Sequence, residues 1–116
     1  EAYEEVGLEY RYVEVLGTLP VYVTGTAFQV TPVVALVQPD FRLQPNAFEV
    51  ADTFEVPLAF LMDPANHRRH AFEWEGVRRE WFSMPFHETV GHQVRERFIW
   101  GATAGMLRNF YRFLSA

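Results

Sequence analysis

The sequence predicts a single α+β domain, in which several strands are flanked by one helix at each end of the chain. Three observations lead to this prediction. Residues 1–6 have an acidic helical pattern and precede Gly7, a residue type that often ends helices. Three segments between residues 10 and 38 are rich in strand-forming apolar side chains. Residues 99–114 repeat apolar side chains at helical spacing.

The strongest strand prediction is residues 28–38, whose apolar run is nearly continuous. Such a run is typical of a central strand that is covered on both faces. Further strands are predicted at residues 10–18 and 21–24, on either side of Pro20, and Gly25 predicts a turn after the second of them.

The remaining elements are shorter. The pattern predicts a strand at residues 54–57, a helix at 58–62 ended by Asp63-Pro64, a basic loop at 66–70, strands at 71–74 and 79–82 joined at Glu75-Gly76, and a loop at 84–91. The closing helix is predicted to place Ala102, Met106, Phe110 and Phe113 on its apolar face.

Composition excludes several classes of protein. The 116 residues suffice for one hydrophobic core, and the net charge of −5 argues against a general nucleic-acid or membrane-surface binder. No apolar run approaches membrane-spanning length, so we expect a cytoplasmic protein with neither nucleic acid nor membrane as a partner. Cysteine is absent, which excludes disulfides and thiolate zinc sites, and the four histidines lack helical ligand spacing.

Three carboxylates converge at the start of the chain. Glu1, Glu4 and Glu5 share one helical face, where like charges repel by roughly 0.2–0.5 kcal/mol per pair. Such a triplet is usually a solvated helix face. The alternative is a cation site, because hard divalent ions take carboxylate oxygens and keep waters for a phosphate substrate.

Residues 1–8 also resemble the second half of the Nudix box. The shared order is a glutamate, a small or apolar residue, any residue, two glutamates, any residue, a glycine and an aliphatic residue. Residues 16–20, 31–34, 49–58 and 99–107 are similar to segments of the coenzyme A pyrophosphatase-like Nudix subgroup. The resemblance implies an α/β/α sandwich with a mixed sheet. Residues 1–116 would then be the C-terminal part of a single Nudix domain, incomplete at its N-terminus because the first half of the box is absent.

The resemblance implies roles for four carboxylates. Glu1, Glu4 and Glu5 match the box glutamates that hold divalent cations, Mg²⁺ or Mn²⁺, against a diphosphate. Glu4 and Glu5 thereby count as catalytic, together with Glu49, which would position or deprotonate the attacking water. Glu49 is equally well interpreted as a surface-loop residue.

Basic residues in the middle of the chain are candidate phosphate ligands. Arg68, Arg69 and Arg79 are predicted to bind substrate, because guanidinium forks bind phosphate well. In a coenzyme A substrate they would meet the adenosine 3′-phosphate. For any one of them, an exposed solubilising charge is the simpler interpretation.

The function expected from this resemblance is metal-dependent hydrolysis of a nucleoside diphosphate linkage, with coenzyme A as the favoured substrate. We expect the whole protein to carry this activity and the 116-residue chain alone to be weak or inactive. The alternative is a non-catalytic Nudix-like module that binds a nucleotide or a protein. Without its early strands the sheet would have an exposed edge, so we expect an intimate homodimer or one part of a longer protein.

Overall fold

A computed structural model describes residues 10–38 and 53–116. The chain forms two compact units: the first is Glu1–Val21 with Thr31–Glu55, and the second is Tyr22–Val30 with Val56–Ala116. The strands are β1 (Val13–Thr18), β2 (Tyr22–Val23), β3 (Gln29–Val30), β4 (Val33–Val37), β5 (Arg68–Trp74), β6 (Val77–Val90) and β7 (Gln93–Trp100), and the α-helices are α1 (Leu58–Leu61) and α2 (Gly101–Leu114).

The first unit contains a two-stranded antiparallel sheet of β1 and β4, preceded by a 3-10 turn at Tyr10–Tyr12. The pairing register shifts between Val15 and Gly17. Leu19 is buried, and its amide donates a hydrogen bond to the Pro32 carbonyl at 2.9 Å. The helix predicted at residues 1–6 lies outside the described residues.

The long strand predicted at residues 28–38 is wrong in two respects. It is divided into β3 and β4, because Pro32 between them has no amide to donate and a fixed φ. The expected coverage on both faces is also absent among the described residues. Val33 is 60% exposed, and β4 pairs only with β1 among the described strands.

The second unit is built on a three-stranded antiparallel sheet in the order β5-β6-β7. The predicted hairpin is confirmed, since β5 and β6 are joined by the two-residue turn Glu75-Gly76. Both turn residues have positive φ, +49° and +78°, as the favoured two-residue hairpin turns require. β6 is long enough to pair with β5 along its first half and with β7 along its second, and the two pairings meet at Ser83.

Several predicted boundaries in this unit are wrong. A basic loop is predicted at residues 66–70, but β5 already begins at Arg68. The loop at residues 84–91 is the second half of β6. β7 has no counterpart among the predicted strands, and it takes the first two residues of the predicted closing helix, which therefore starts at Gly101. No strand forms at residues 54–57, where Pro57 instead precedes α1.

The core of the second unit lies between the sheet and α2. Met84, Ile99 and Ala104 are buried together, with Phe60 and Leu107 among the partly buried residues packed against them. Side chains alternate between the faces of a strand. We call the face that carries Met84 and Ile99 the helix face, and the opposite face the open face.

The buried side of α2 differs from the predicted one. Ala104 and Gly105 are its buried residues, whereas Phe113 is 66% exposed. The Tyr22 ring packs directly on Gly105, where a β-carbon would lie 2.8 Å from Tyr22 Cζ. This contact fixes β2 against the helix.

Candidate functional site

The four predicted carboxylates, Glu1, Glu4, Glu5 and Glu49, lie outside the described residues. Across residues 10–38 and 53–116, no group of three or more His, Asp or Glu side chains is placed to hold a metal. The expectation of a divalent cation therefore depends on the oxygen chemistry of these carboxylates and not on described geometry. In the same part of the chain, no helix is both long and apolar enough to cross a membrane.

The three predicted substrate arginines do not share one surface. Arg68 and Arg79 belong to the open face, because Arg68 pairs with Ser83 and Arg79 lies four residues away from Ser83 on β6. Arg69 points to the helix face, where its guanidinium carbon is 5.5 Å from the centroid of the Phe82 ring. The sheet itself thus separates Arg69 from the other two.

A pocket of ≈ 530 Å³ opens beside Arg79. Its walls include Tyr22, Phe72, Trp81 and Trp100, all from the second unit. The cavity follows from the strand register. Because β7 ends at Trp100, opposite Ser83, it leaves the preceding residues of β6 unpaired on that side.

Local backbone geometry at Gly101 completes this arrangement. Gly101 has a φ of +63°, a left-handed conformation that favours glycine, and the chain turns there from β7 into α2. Gly101 and Ala102 also line the pocket, so the strand-to-helix turn forms part of its wall.

The tryptophans of the pocket differ in how they are held. His70 stacks on Trp81 with ring centroids 4.0 Å apart and planes at 19°, while Trp100 meets Trp81 edge-on at 6.2 Å. His70 Nε2 also hydrogen-bonds Ser83 Oγ at 2.7 Å, and Ser83 has 0% exposure. The stack on His70 therefore holds the Trp81 ring in place. Trp100 is 61% exposed and presents the larger open aromatic surface.

The two arginines that line the pocket differ in whether they have an ion-pair partner. Arg78 pairs with Glu80 at 3.4 Å, an exposed contact of small energetic value. Arg79 has no hydrogen bond or ion pair to any described residue. Arg78, Arg79 and the Glu80 carboxylate all line the pocket, and Arg79 is the one of these three without an ion pair to a described residue.

On the helix face, the structure forms a polar cluster that the sequence pattern does not predict. His67 Nε2 lies 2.6 Å from the Leu61 carbonyl, and Arg108 Nη1 lies 3.1 Å from His67 Nδ1. A carbonyl only accepts and a guanidinium only donates, so the imidazole must carry its proton on Nε2. Arg108 also lies over the rings of Phe82 and Tyr111, at 5.4 and 5.3 Å.

This cluster has a structural role. It ties the segment between α1 and β5 to α2 through residues that are 41 positions apart in the sequence. Both ring nitrogens of His67 are hydrogen-bonded within the cluster, to the Leu61 carbonyl and to Arg108. In the sequence, Arg108 carries no signal beyond its position near the end of a helix, where a cation suits the helix dipole.

No protein-family model matches the chain. Its sequence is similar to proteins named "Uncharacterized Nudix hydrolase NudL" from three bacteria. The identity is 36% for Enterobacter sp. (strain 638), 37% for Klebsiella pneumoniae and 35% for Escherichia coli O1:K1 / APEC. Each similarity extends over 109 residues, which are 93% of this chain and 52% of the relative. The chain therefore spans about half the length of these curated relatives.

Proposed function

We infer, from the Nudix family that these relatives support, that the whole protein is a hydrolase cleaving a nucleoside diphosphate linkage. The observation that carries this proposal is the 35–37% identity to proteins named Nudix hydrolases over 93% of the chain. The resemblance of residues 1–8 to half of the Nudix box also supports it, because this segment supplies three carboxylates that could hold a divalent ion.

We further propose coenzyme A as the substrate. Support comes from the segments at residues 16–20, 31–34, 49–58 and 99–107, which resemble the coenzyme A pyrophosphatase-like subgroup. Hydrolysis adds one water across the diphosphate and releases phosphopantetheine and adenosine 3′,5′-bisphosphate.

The proposed metal ligands are Glu1, Glu4 and Glu5, with Mg²⁺ or Mn²⁺ as the ion. A bound divalent ion supplies charge neutralisation of the diphosphate and acidifies a bound water. Glu4 and Glu5 would act as catalytic residues by holding the divalent ion against the diphosphate. Glu49 is proposed to position the attacking water and to accept its proton.

For substrate binding, the arginines are no longer equivalent. Arg79 is the best placed of the three, because it lines a pocket and lacks a counter-charge among the described residues. Arg68 shares its sheet face. Arg69, on the helix face over Phe82, would contribute only from the other side of the sheet.

The test is hydrolysis of coenzyme A by the protein, followed by chromatographic separation of the two products with and without a chelator. Glu4→Gln and Glu5→Gln each remove a negative charge while preserving side-chain length, and we expect a loss of about 10²-fold or more in kcat. Glu14→Gln is the matched control, since Glu14 is an exposed residue of β1. Unchanged turnover in both box variants would sink the metal-ligand assignment.

A nucleotide-binding module without catalysis is the second candidate. The exposed Trp100 favours it, as does Arg79, which has no ion pair to a described residue, because both suit a nucleotide irrespective of metal. Metal-dependent turnover excludes this candidate, whereas nucleotide binding with no turnover at any metal concentration supports it.

Assembly and location are also proposals. Exposed apolar side chains of the open face outside the pocket, Trp74 and Phe98, support the homodimer expected from the sequence. Sedimentation velocity at micromolar concentration tests it, and a monomer there contradicts it. A cytoplasmic location is tested by fractionating cells that express the whole protein.

A further inference from the structure

We propose that residues 22–30 form a hinged flap that controls access to the pocket beside Arg79. β2 and β3 are the two strands of this flap, and the turn between them is its tip. The inference goes beyond the proposed function, because it concerns how the pocket opens and does not depend on which molecule the pocket binds.

The first support is where the segment lies. Tyr22 and Gly25 supply part of the pocket wall, and the rest comes from β5, β6 and the turn from β7 into α2. Displacing residues 22–30 therefore removes part of the wall and widens the entrance to the pocket.

The second support is how the chain enters and leaves the flap. Residues 22–30 belong to the second unit, whereas the chain on both sides of them, at Val21 and Thr31, belongs to the first. No peptide bond joins the flap directly to the rest of the second unit. Only non-covalent contacts hold it against the sheet and α2.

The third support is an interruption that suits a hinge. The ladder of β1 and β4 ends at Thr18 and Val33, and pairing resumes in β2 and β3. Three residues on one strand lie opposite two on the other, and they include Pro20 and Pro32, which have no amide to donate. One backbone hydrogen bond crosses the interruption, from the Leu19 amide to the Pro32 carbonyl. The ladder is weakest here, so the ribbon bends here.

The fourth support is the small number of contacts that hold the flap down. Every hydrogen bond of residues 22–30 to a described residue ends within the segment itself. Val23 and Phe28 are 59% and 71% exposed, so they add little packing. The flap is therefore held on α2 by the half-buried Tyr22 ring, which packs on Gly105 and acts as a latch.

The tip of the flap is closed by its own hydrogen bonds. The Thr24 amide donates to the Phe28 carbonyl at 2.9 Å, and the Phe28 amide donates to Thr24 Oγ1 at 3.2 Å. The Ala27 amide donates to the Thr24 carbonyl at 2.9 Å. Because these bonds stay intact when the latch is released, the flap moves as one piece and does not fray.

Thiol labelling tests the flap without ligand or metal. The 116 residues contain no cysteine, so an introduced thiol is the only one in this part of the protein. Ala102→Cys places that thiol in the pocket wall. Methyl methanethiosulfonate is small enough to enter the closed pocket. A maleimide carried on a polyethylene glycol chain needs a wider entrance, so its reaction rate measures opening of the flap.

Gly105→Ala releases the latch without changing a residue of the pocket wall. In this background the polymer maleimide should label Ala102→Cys about tenfold faster, because the displaced Tyr22 ring favours the open flap. The small reagent should react at nearly the same rate in both backgrounds. Asn109→Ala, at an exposed position of α2, is the matched control background and should leave both rates unchanged.

Ser83→Cys separates flap opening from general loosening of the second unit. Ser83 has 0% exposure and lies outside the pocket lining, so a thiol there reacts only when the sheet itself opens. Gly105→Ala should raise its labelling rate by a smaller factor than that of Ala102→Cys, because alanine also favours the helix that unfolding disrupts. Circular dichroism confirms folding, and Tyr22→Leu, which shortens the latch, replaces Gly105→Ala if that variant does not fold.

Three results decide the proposal. Faster polymer labelling of Ala102→Cys in the Gly105→Ala background, with a smaller change for Ser83→Cys, supports the flap. An unchanged rate in the folded variant overturns it, and so does an equal increase for the two thiols. Because neither reagent is a substrate and no metal is present, these results are independent of the hydrolysis experiment.

Discussion

Replacing Gly105 by alanine tests how closely α2 and Tyr22 are packed. A β-carbon at this position would lie 2.8 Å from Tyr22 Cζ and 2.9 Å from Cε2. Both distances are shorter than non-bonded carbon atoms tolerate, so the Tyr22 ring must move out of its present place. Overpacking of this type costs about 1–3 kcal/mol.

A second effect of Gly105→Ala has the opposite sign. Alanine in a helix interior is favoured over glycine by about 1 kcal/mol. We therefore expect a net loss of about 1 kcal/mol in the free energy of unfolding, measured by urea denaturation. Asn109→Ala, at an exposed position of the same helix, is the control and should change stability by at most about 0.5 kcal/mol.

The double variant with Tyr22→Ala decides between these effects. Once the ring is gone, Gly105→Ala should become stabilising by about 1 kcal/mol, because only the helix propensity of alanine still acts. The sign reversal is the diagnostic result. If Gly105→Ala stabilises the protein with Tyr22 present, the close packing of Tyr22 on the helix is refuted.

Two other predictions concern stability. Arg108→Met should lower the free energy of unfolding by about 1–3 kcal/mol, because it removes the donor to His67 Nδ1. Arg112→Met, at an exposed position of α2, should have little effect in the same denaturation experiment. Equal losses in the two variants would contradict the role given to the Arg108–His67 hydrogen bond. Glu75→Asn should raise the melting temperature, with a gain of roughly 0.5–1 kcal/mol, because asparagine tolerates the φ of +49° better than glutamate does. Glu73→Asn, in the adjoining strand, is its control, and a lower melting temperature for Glu75→Asn would refute the turn argument.

The hairpin of β5 and β6 was predictable because its signal is local. Glu75-Gly76 is a two-residue turn between two apolar-rich segments, and such a turn sets the register by itself. The second half of β6 was not predictable, because Pro85 and the polar residues after it hide the alternation. This half of β6 is extended because it pairs with β7, and that pairing depends on tertiary context.

The candidate site could not be predicted from the sequence either, because it also depends on strand pairing. Arg68 and Arg69 are neighbours in the sequence, and a loop would allow both to reach one phosphate. Once β5 includes them, alternation sends them to opposite faces of the sheet. The pocket was equally hidden, because its walls come from Tyr22, Arg79 and Trp100, which only the fold brings together.

The shared strand β6 also determines how the second unit should open. Ser83 is the one position of the described sheet where β6 has a strand neighbour on each side, Arg68 on one and Trp100 on the other. Either end of β6 can fray without disturbing the pairing at the other end. Amide hydrogen exchange should therefore be fastest toward both tips and slowest around the buried Ser83 and Met84. The wall of the pocket at Trp100 is attached at this slowest-opening point, so local fluctuations of the hairpin tip need not disturb it.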